Sequence, residues 1–111
     1  MPEVRACGVD DVKVGSAHRV DVDGHRLCLV RLAPTAPGGP DDWYVVDDRC
    51  SHADYSLSEG DVWDDEREIE CPKHGSTFSL CTGEPQTLPA TRPVPVYTAR
   101  VDGDDVYVEL P

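Results

Sequence analysis

Cys50-Ser51-His52 and Cys71-Pro72-Lys73-His74-Gly75-Ser76 are the two stretches on which the reading of this chain turns, and eighteen residues separate His52 from Cys71. Each stretch brings one thiolate and one imidazole to a short loop, and four such ligands suffice for a metal centre. Ligand type alone leaves two chemistries open. Zinc accepts two cysteines and two histidines, and iron–sulfur centres draw on the same side chains. The surrounding segment, residues 49–90, is turn-rich with little apolar periodicity, yet it carries three of the five cysteines and two of the four histidines. A loop-rich stretch of that length inside a small chain needs something other than an apolar core to hold it, and a metal site supplies that.

Outward from this segment, β-type runs dominate. Val20 and Val22 lead into Asp23-Gly24, and Leu27 to Leu32 follow. Asp-Gly between apolar-rich runs predicts a hairpin, because both residues tolerate the positive φ of a type I′ turn. Residues 33–42 read as an exposed loop, and Trp43-Tyr44-Val45-Val46 as a strand entering the middle of the protein. Val94 to Val101, a turn around Asp102-Gly103-Asp104, and Val106-Tyr107-Val108 make a second predicted hairpin. Ten prolines and nine glycines break the chain into short pieces, and no stretch sustains a helical period. The expected class is all-β, one domain over residues 1–111.

Composition narrows the partners. Ten Lys and Arg against 22 Asp and Glu leave a formal charge of −12, which argues against nucleic acid or an anionic membrane surface, since both need a basic face. The longest apolar stretch, Leu27-Cys28-Leu29-Val30, is far short of the roughly 18 to 20 residues that span a bilayer. Met1 to Cys7 lacks the basic-then-apolar order of a secretory signal. Five cysteines, an odd number, fit a disulfide framework poorly. A soluble, cytoplasmic, acidic domain is expected.

The arrangement of the ligands tips the balance between the two chemistries toward iron–sulfur. Each short loop supplies one Cys and one His, so two cysteines can hold one iron of a pair and two histidines the other, which is the ligation of a Rieske-type [2Fe–2S] cluster. Cys-x-His followed by Cys-x-x-His-Gly-Ser resembles the Rieske family, and residues 43–110 resemble its small ferredoxins throughout. The resemblance implies a Rieske-type β-sandwich with an inserted loop-rich cluster-binding subdomain, here about residues 49–91, and one [2Fe–2S] cluster. It implies Cys50 and Cys71 on the buried iron and His52 and His74 on the outer iron. Leu88-Pro89-Ala90 then forms a covering loop with Pro89 beside the cluster, and the Ser76 hydroxyl reaches a bridging sulfide. Gly75 and Gly83 allow close backbone turns around the sulfides, and the imidazoles of His52 and His74 reach the surface, where electrons can leave.

Two ferric ions and two sulfides carry a charge that two thiolates cancel, while neutral imidazoles add nothing. Four thiolates would leave the site negative. Reduction of the neutral site is easier, so its potential lies between about −150 and +300 mV, above plant-type ferredoxins. By the same resemblance, Rieske proteins of respiratory bc complexes carry one additional Cys in each ligand loop, joined as a disulfide. Those positions are Tyr55 and Lys73 here. That branch also hydrogen-bonds a ligand sulfur with a Tyr hydroxyl, where this chain has Phe78. Losing that bond removes stabilisation of the reduced cluster, so a potential low in the Rieske range is expected, and a bc-complex subunit is not.

The function that the resemblance implies is a soluble one-electron carrier. It takes electrons from a flavin-dependent NAD(P)H ferredoxin reductase and passes them to a terminal oxygenase, without being a catalyst by itself. Two alternatives stand beside it: a Rieske protein that accompanies iron–sulfur cluster assembly, and a zinc-stabilised interaction module. A large oxygenase subunit needs a further mononuclear iron site, for which the chain has no length. Residues 41–70 hold twelve Asp or Glu against Arg49 and Arg67. They read as a solvated face, or as a negative collar that steers basic partners. Among the remaining residues, His18 and His25 read as surface groups, Cys28 as a core side chain, Cys7 as a free thiol, and Cys81 as a bystander. Lys73 is a candidate docking contact, and Trp43 and Tyr44 read as strand packing.

Overall fold

A computed structural model describes residues 3–35, 37–50, 55–73, 75–87 and 92–110. Among the described residues nine strands run in chain order: β1 (Glu3–Gly8), β2 (Ser16–Val22), β3 (His25–Leu32), β4 (Asp42–Asp47), β5 (Val62–Trp63), β6 (Glu68–Glu70), β7 (Thr77–Ser79), β8 (Val96–Asp102) and β9 (Asp105–Glu109). Two 3₁₀ turns, Val9–Asp11 and Leu57–Glu59, are the helical pieces among the described residues. The strands pair antiparallel in a six-stranded sheet ordered β1-β9-β8-β4-β3-β2 and a three-stranded sheet ordered β5-β6-β7. No helix among the described residues is long and apolar enough to cross a membrane.

Both expected hairpins are present. Val22 pairs with His25 around Asp23 (φ 49°) and Gly24 (φ 78°), the two positive values that a type I′ turn requires. The second hairpin turns on two residues, Gly103 and Asp104, because Asp102 still pairs with Asp105. Its first strand begins at Val96. Val94 is instead a buried core residue whose amide donates to the Gly83 carbonyl at 2.9 Å.

The run Leu27 to Val30 is fully buried because β3 has a core on each face. Leu27 and Leu29, with Val45 of β4, pack against Cys7, Val12, Val106, Val108 and Leu110. Cys28, Val30 and Leu32, with Val46, face the other way onto Cys50, Leu57, Ile69, Cys71, Phe78 and Leu80. Alternate residues of a strand point to opposite faces, so an unbroken apolar run suits a strand covered on both sides. The second core corrects one expectation. Residues 49–90 are held by apolar packing as well, since the small sheet β5–β7 lies in them and buries Ile69 and Phe78 against the large sheet.

Candidate metal centre

The first candidate loop leaves the end of β4. An isolated bridge joins Arg49 and Ser56, the Cys50 amide donates to the Tyr55 carbonyl at 3.0 Å, and the Leu57 amide donates to the Asp48 carbonyl at 2.6 Å. These bonds close the base of the loop and place Cys50 inside, 2% exposed. Asp48 anchors it. Its side chain is fully buried, and its carboxylate accepts from Arg26 Nε at 3.0 Å and from the Ser58 amide at 2.9 Å. Arg26 Nη2 also donates to Ser56 Oγ at 2.5 Å. Burial pushes the Asp48 carboxyl upward, but hydrogen bonds from Ser58, Ser56 and Arg26 outweigh it and leave its pKa below the ordinary carboxylate value.

The second candidate loop joins β6 to β7. The Cys71 amide donates to the Ser76 carbonyl at 2.7 Å and the Gly75 amide to the Cys71 carbonyl at 3.0 Å, with Gly75 at φ 75°. Cys71 is 1% exposed and Ser76 is fully buried. Gly60 makes room for this loop. A Cβ there would lie 1.6 Å from the Glu70 carbonyl oxygen, one residue before Cys71. Gly83, at φ 78°, permits a close approach to the Val94 carbonyl, with a hypothetical Cβ 2.0 Å from that oxygen. Its closest contact is therefore with the chain returning to β8. Beyond β7, the Gln86 amide bonds back to the Thr77 carbonyl at 2.7 Å, and Thr87 Oγ1 accepts from the Thr77 amide at 2.9 Å.

Cys50 and Cys71 therefore sit at the bases of two short loops and in one apolar cluster, with Phe78 fully buried in the same cluster. At the surface the loops meet, where Lys73 Nζ lies 5.0 Å from the centre of the Tyr55 ring. His52, His74 and Pro89 lie outside the described residues. Two water-shielded thiols suit the sulfur side of an iron–sulfur group, and the buried Ser76 is bonded through its backbone to Cys71. The five cysteines form no disulfide with one another. Cys7 and Cys28 are buried, and burial pushes both thiols up, so they are poor thiolate donors. Cys81 is exposed. His18 is exposed on β2, while His25 is partly covered and meets Tyr97 edge-on at 6.1 Å.

Two groups stand out among the described acids of residues 41–70. Asp41 pairs with Arg31 at 2.8 Å, Asp42 with Thr35 and Arg67, and Asp47 accepts from the Tyr97 hydroxyl at 2.8 Å. These, with Asp48, are structural. Glu59, Asp61, Asp64, Asp65 and Glu66 are exposed. Trp43 and Tyr44 pack under Arg31 and Arg67, at 5.6 and 5.9 Å. Sequence reasoning missed Asp48, Arg26 and Gly60, since nothing local separates a buried acid from eleven neighbouring acids, or a contact-making glycine from a turn glycine.

The family model for the Rieske [2Fe-2S] domain matches residues 3–98. The chain belongs to this family. A Rieske domain carries one [2Fe–2S] cluster, and the buried Cys50 and Cys71 suit the sulfur side of such a group. The "3-phenylpropionate/cinnamic acid dioxygenase ferredoxin subunit" of Shigella boydii serotype 4 (strain Sb227) is 40% identical over the whole of this chain and 96% of its own length. Among solved structures, the ferredoxin of carbazole 1,9a-dioxygenase from Nocardioides aromaticivorans IC177 superposes with a TM-score of 0.86 at 35% identity, covering 97% of each chain. A chain from a complex of reduced oxygenase and oxidized ferredoxin in carbazole 1,9a-dioxygenase superposes at 0.79 with 34% identity, over 96% of this chain and 91% of its own. These three relatives are ferredoxins, and this Rieske protein is an electron carrier of that kind rather than a catalyst.

Proposed function

We propose that this Rieske ferredoxin works in the cytoplasm, taking single electrons from a flavin-dependent NAD(P)H reductase and passing them to a terminal oxygenase. The observation that carries this reading is the likeness, over nearly the whole chain, to ferredoxins named as dioxygenase components. Residues 1–111 form one Rieske domain on this reading, with a cluster-binding subdomain at about 49–91. Cys50 and Cys71 hold the inner iron, His52 and His74 the outer iron, and Ser76 and Pro89 stand beside the cluster. When bound, the [2Fe–2S] cluster supplies a one-electron couple.

The chain's own residues account for the rest. Leu57, Ile69 and Phe78 keep water from the two cysteines. Asp48 and Arg26 hold the first loop against the large sheet. Exposed Glu59, Asp61, Asp64, Asp65 and Glu66 favour a basic partner face and speed its encounter, an effect that weakens with salt. The test uses iron-loaded protein with NADH, a flavoprotein ferredoxin reductase and a terminal dioxygenase. Reduction of the visible band followed by reoxidation on adding oxygenase, substrate and oxygen is expected. Replacement of His52 or His74 by Ala should abolish the cluster. Reductase that leaves the loaded protein oxidised, or a fully loaded and spectroscopically unchanged His variant, would overturn the reading.

A further inference from the structure

The two candidate ligand loops are each closed on themselves. The Arg49–Ser56 bridge and the Cys50–Tyr55 hydrogen bond pinch the first, and the Cys71–Ser76 and Gly75–Cys71 bonds pinch the second. None of these bonds ties one loop to the other. At their inner ends the loops share the apolar cluster of Cys50, Leu57, Ile69, Cys71 and Phe78. Outside that cluster, at the surface, the Lys73 ammonium of the second loop stands 5.0 Å from the centre of the Tyr55 ring of the first, and both residues are exposed.

We propose that Tyr55 and Lys73 form a sulfur-free latch that holds the mouths of the two loops together and slows release of the metal group between them. This rests on the assignment of Cys50, His52, Cys71 and His74 as ligands. An ammonium over a phenol ring is drawn to the negative face of its π system, and the attraction survives at an exposed site. Pro72 fixes the backbone immediately before Lys73, so less freedom is lost when the lysine settles on the ring. Both residues act by positioning, since neither supplies a ligand atom. The latch contains no thiol, so reducing agents leave it closed. It couples the loops where the shared core no longer reaches.

The test is the rate at which the visible absorbance of the anaerobically purified holoprotein decays in excess iron chelator. Lys73→Met and Tyr55→Leu should each speed the decay about two- to fivefold. The double variant should decay no faster than the quicker single, because one contact is broken once. Lys73→Arg and Tyr55→Phe, which keep a cation and a ring, should stay near the wild-type rate, and added dithiothreitol should change none of the rates. A Lys73→Met protein that fails to load with iron, beside a Lys73→Arg protein that loads, also supports the latch. Wild-type rates in both single variants, or single effects that multiply in the double variant, overturn the latch and leave the ligand assignment standing. Wild-type protein without iron and sulfide overturns the assignment and the latch together.

Discussion

Replacing Asp48 with Asn tests how the first ligand loop is held. The Asp48 carboxylate has no solvent exposure, and among its hydrogen bonds are those from Arg26 Nε at 3.0 Å and the Ser58 amide at 2.9 Å. Asn keeps the shape and one acceptor oxygen but removes the charge that Arg26 faces. Breaking a fully buried ion pair from one side costs about 3–5 kcal/mol. The Arg26 side chain retains 31% exposure, so water recovers part of that and about 2–3 kcal/mol remains. The loss falls on residues 48–58, because Ser56, Leu57 and Ser58 all bond to Asp48 or to its arginine partner. Hydrogen–deuterium exchange on the intact protein reads it locally. The Leu57 and Ser58 amides should exchange about 30- to 150-fold faster, while amides of the β1–β9 pairing, on the far core, keep their wild-type rates. Unchanged exchange at Leu57 and Ser58, or equal acceleration in β9, would refute the anchoring role.

Gly60→Ala should displace Glu70 and the adjacent Cys71, since the new Cβ would lie 1.6 Å from a carbonyl oxygen; a loss of about 3 kcal/mol or more and poor iron loading are expected, and wild-type iron content with an unchanged melting temperature would contradict it. Phe78→Tyr places a hydroxyl in the apolar cluster that holds Cys50 and Cys71. If that hydroxyl donates to sulfur, it raises the potential by roughly 40–60 mV, the equivalent of one ordinary hydrogen bond, and voltammetry showing no rise would refute this. Burial, reinforced by the Asp47 carboxylate, pushes the Tyr97 pKa up to about 12. A folded-state pKa above the unfolded value of about 10 contributes stability that is complete below pH 10 and is lost as pH climbs through 12. Ultraviolet titration should lose its latest tyrosine step in Tyr97→Phe, and an unaltered curve would count against the Asp47 contact.

The parts of this fold that could be read in advance are those whose cause is local. Asp23-Gly24 and Gly103 impose their turns through backbone angles that few residues adopt, and Cys50 and Cys71 each sit in a short loop closed by its own hydrogen bonds. What escaped notice depends on distant partners. β1 pairs with β9 across almost the full chain, with an irregularity between Arg5 and Cys7 that interrupts its alternation. The strands of the small sheet are two or three residues long, too short to display a period, and their burial depends on the face of β3 that carries Cys28 and Val30. That is why residues 49–90 look coreless in the sequence and are not. Asp48 is the extreme case: its role comes from Arg26, twenty-two residues earlier, and no pattern around it differs from the solvated acids nearby.

The most direct test of the central claim is the iron and acid-labile sulfide content of the anaerobically purified protein, with visible and EPR spectra before and after reduction. About two irons and two sulfides per chain, with a Rieske-type reduced spectrum, is the result expected of paired Cys and His ligation. One zinc and no sulfide, persisting after expression with ample iron and sulfur, would contradict it and make the two loops a structural metal site.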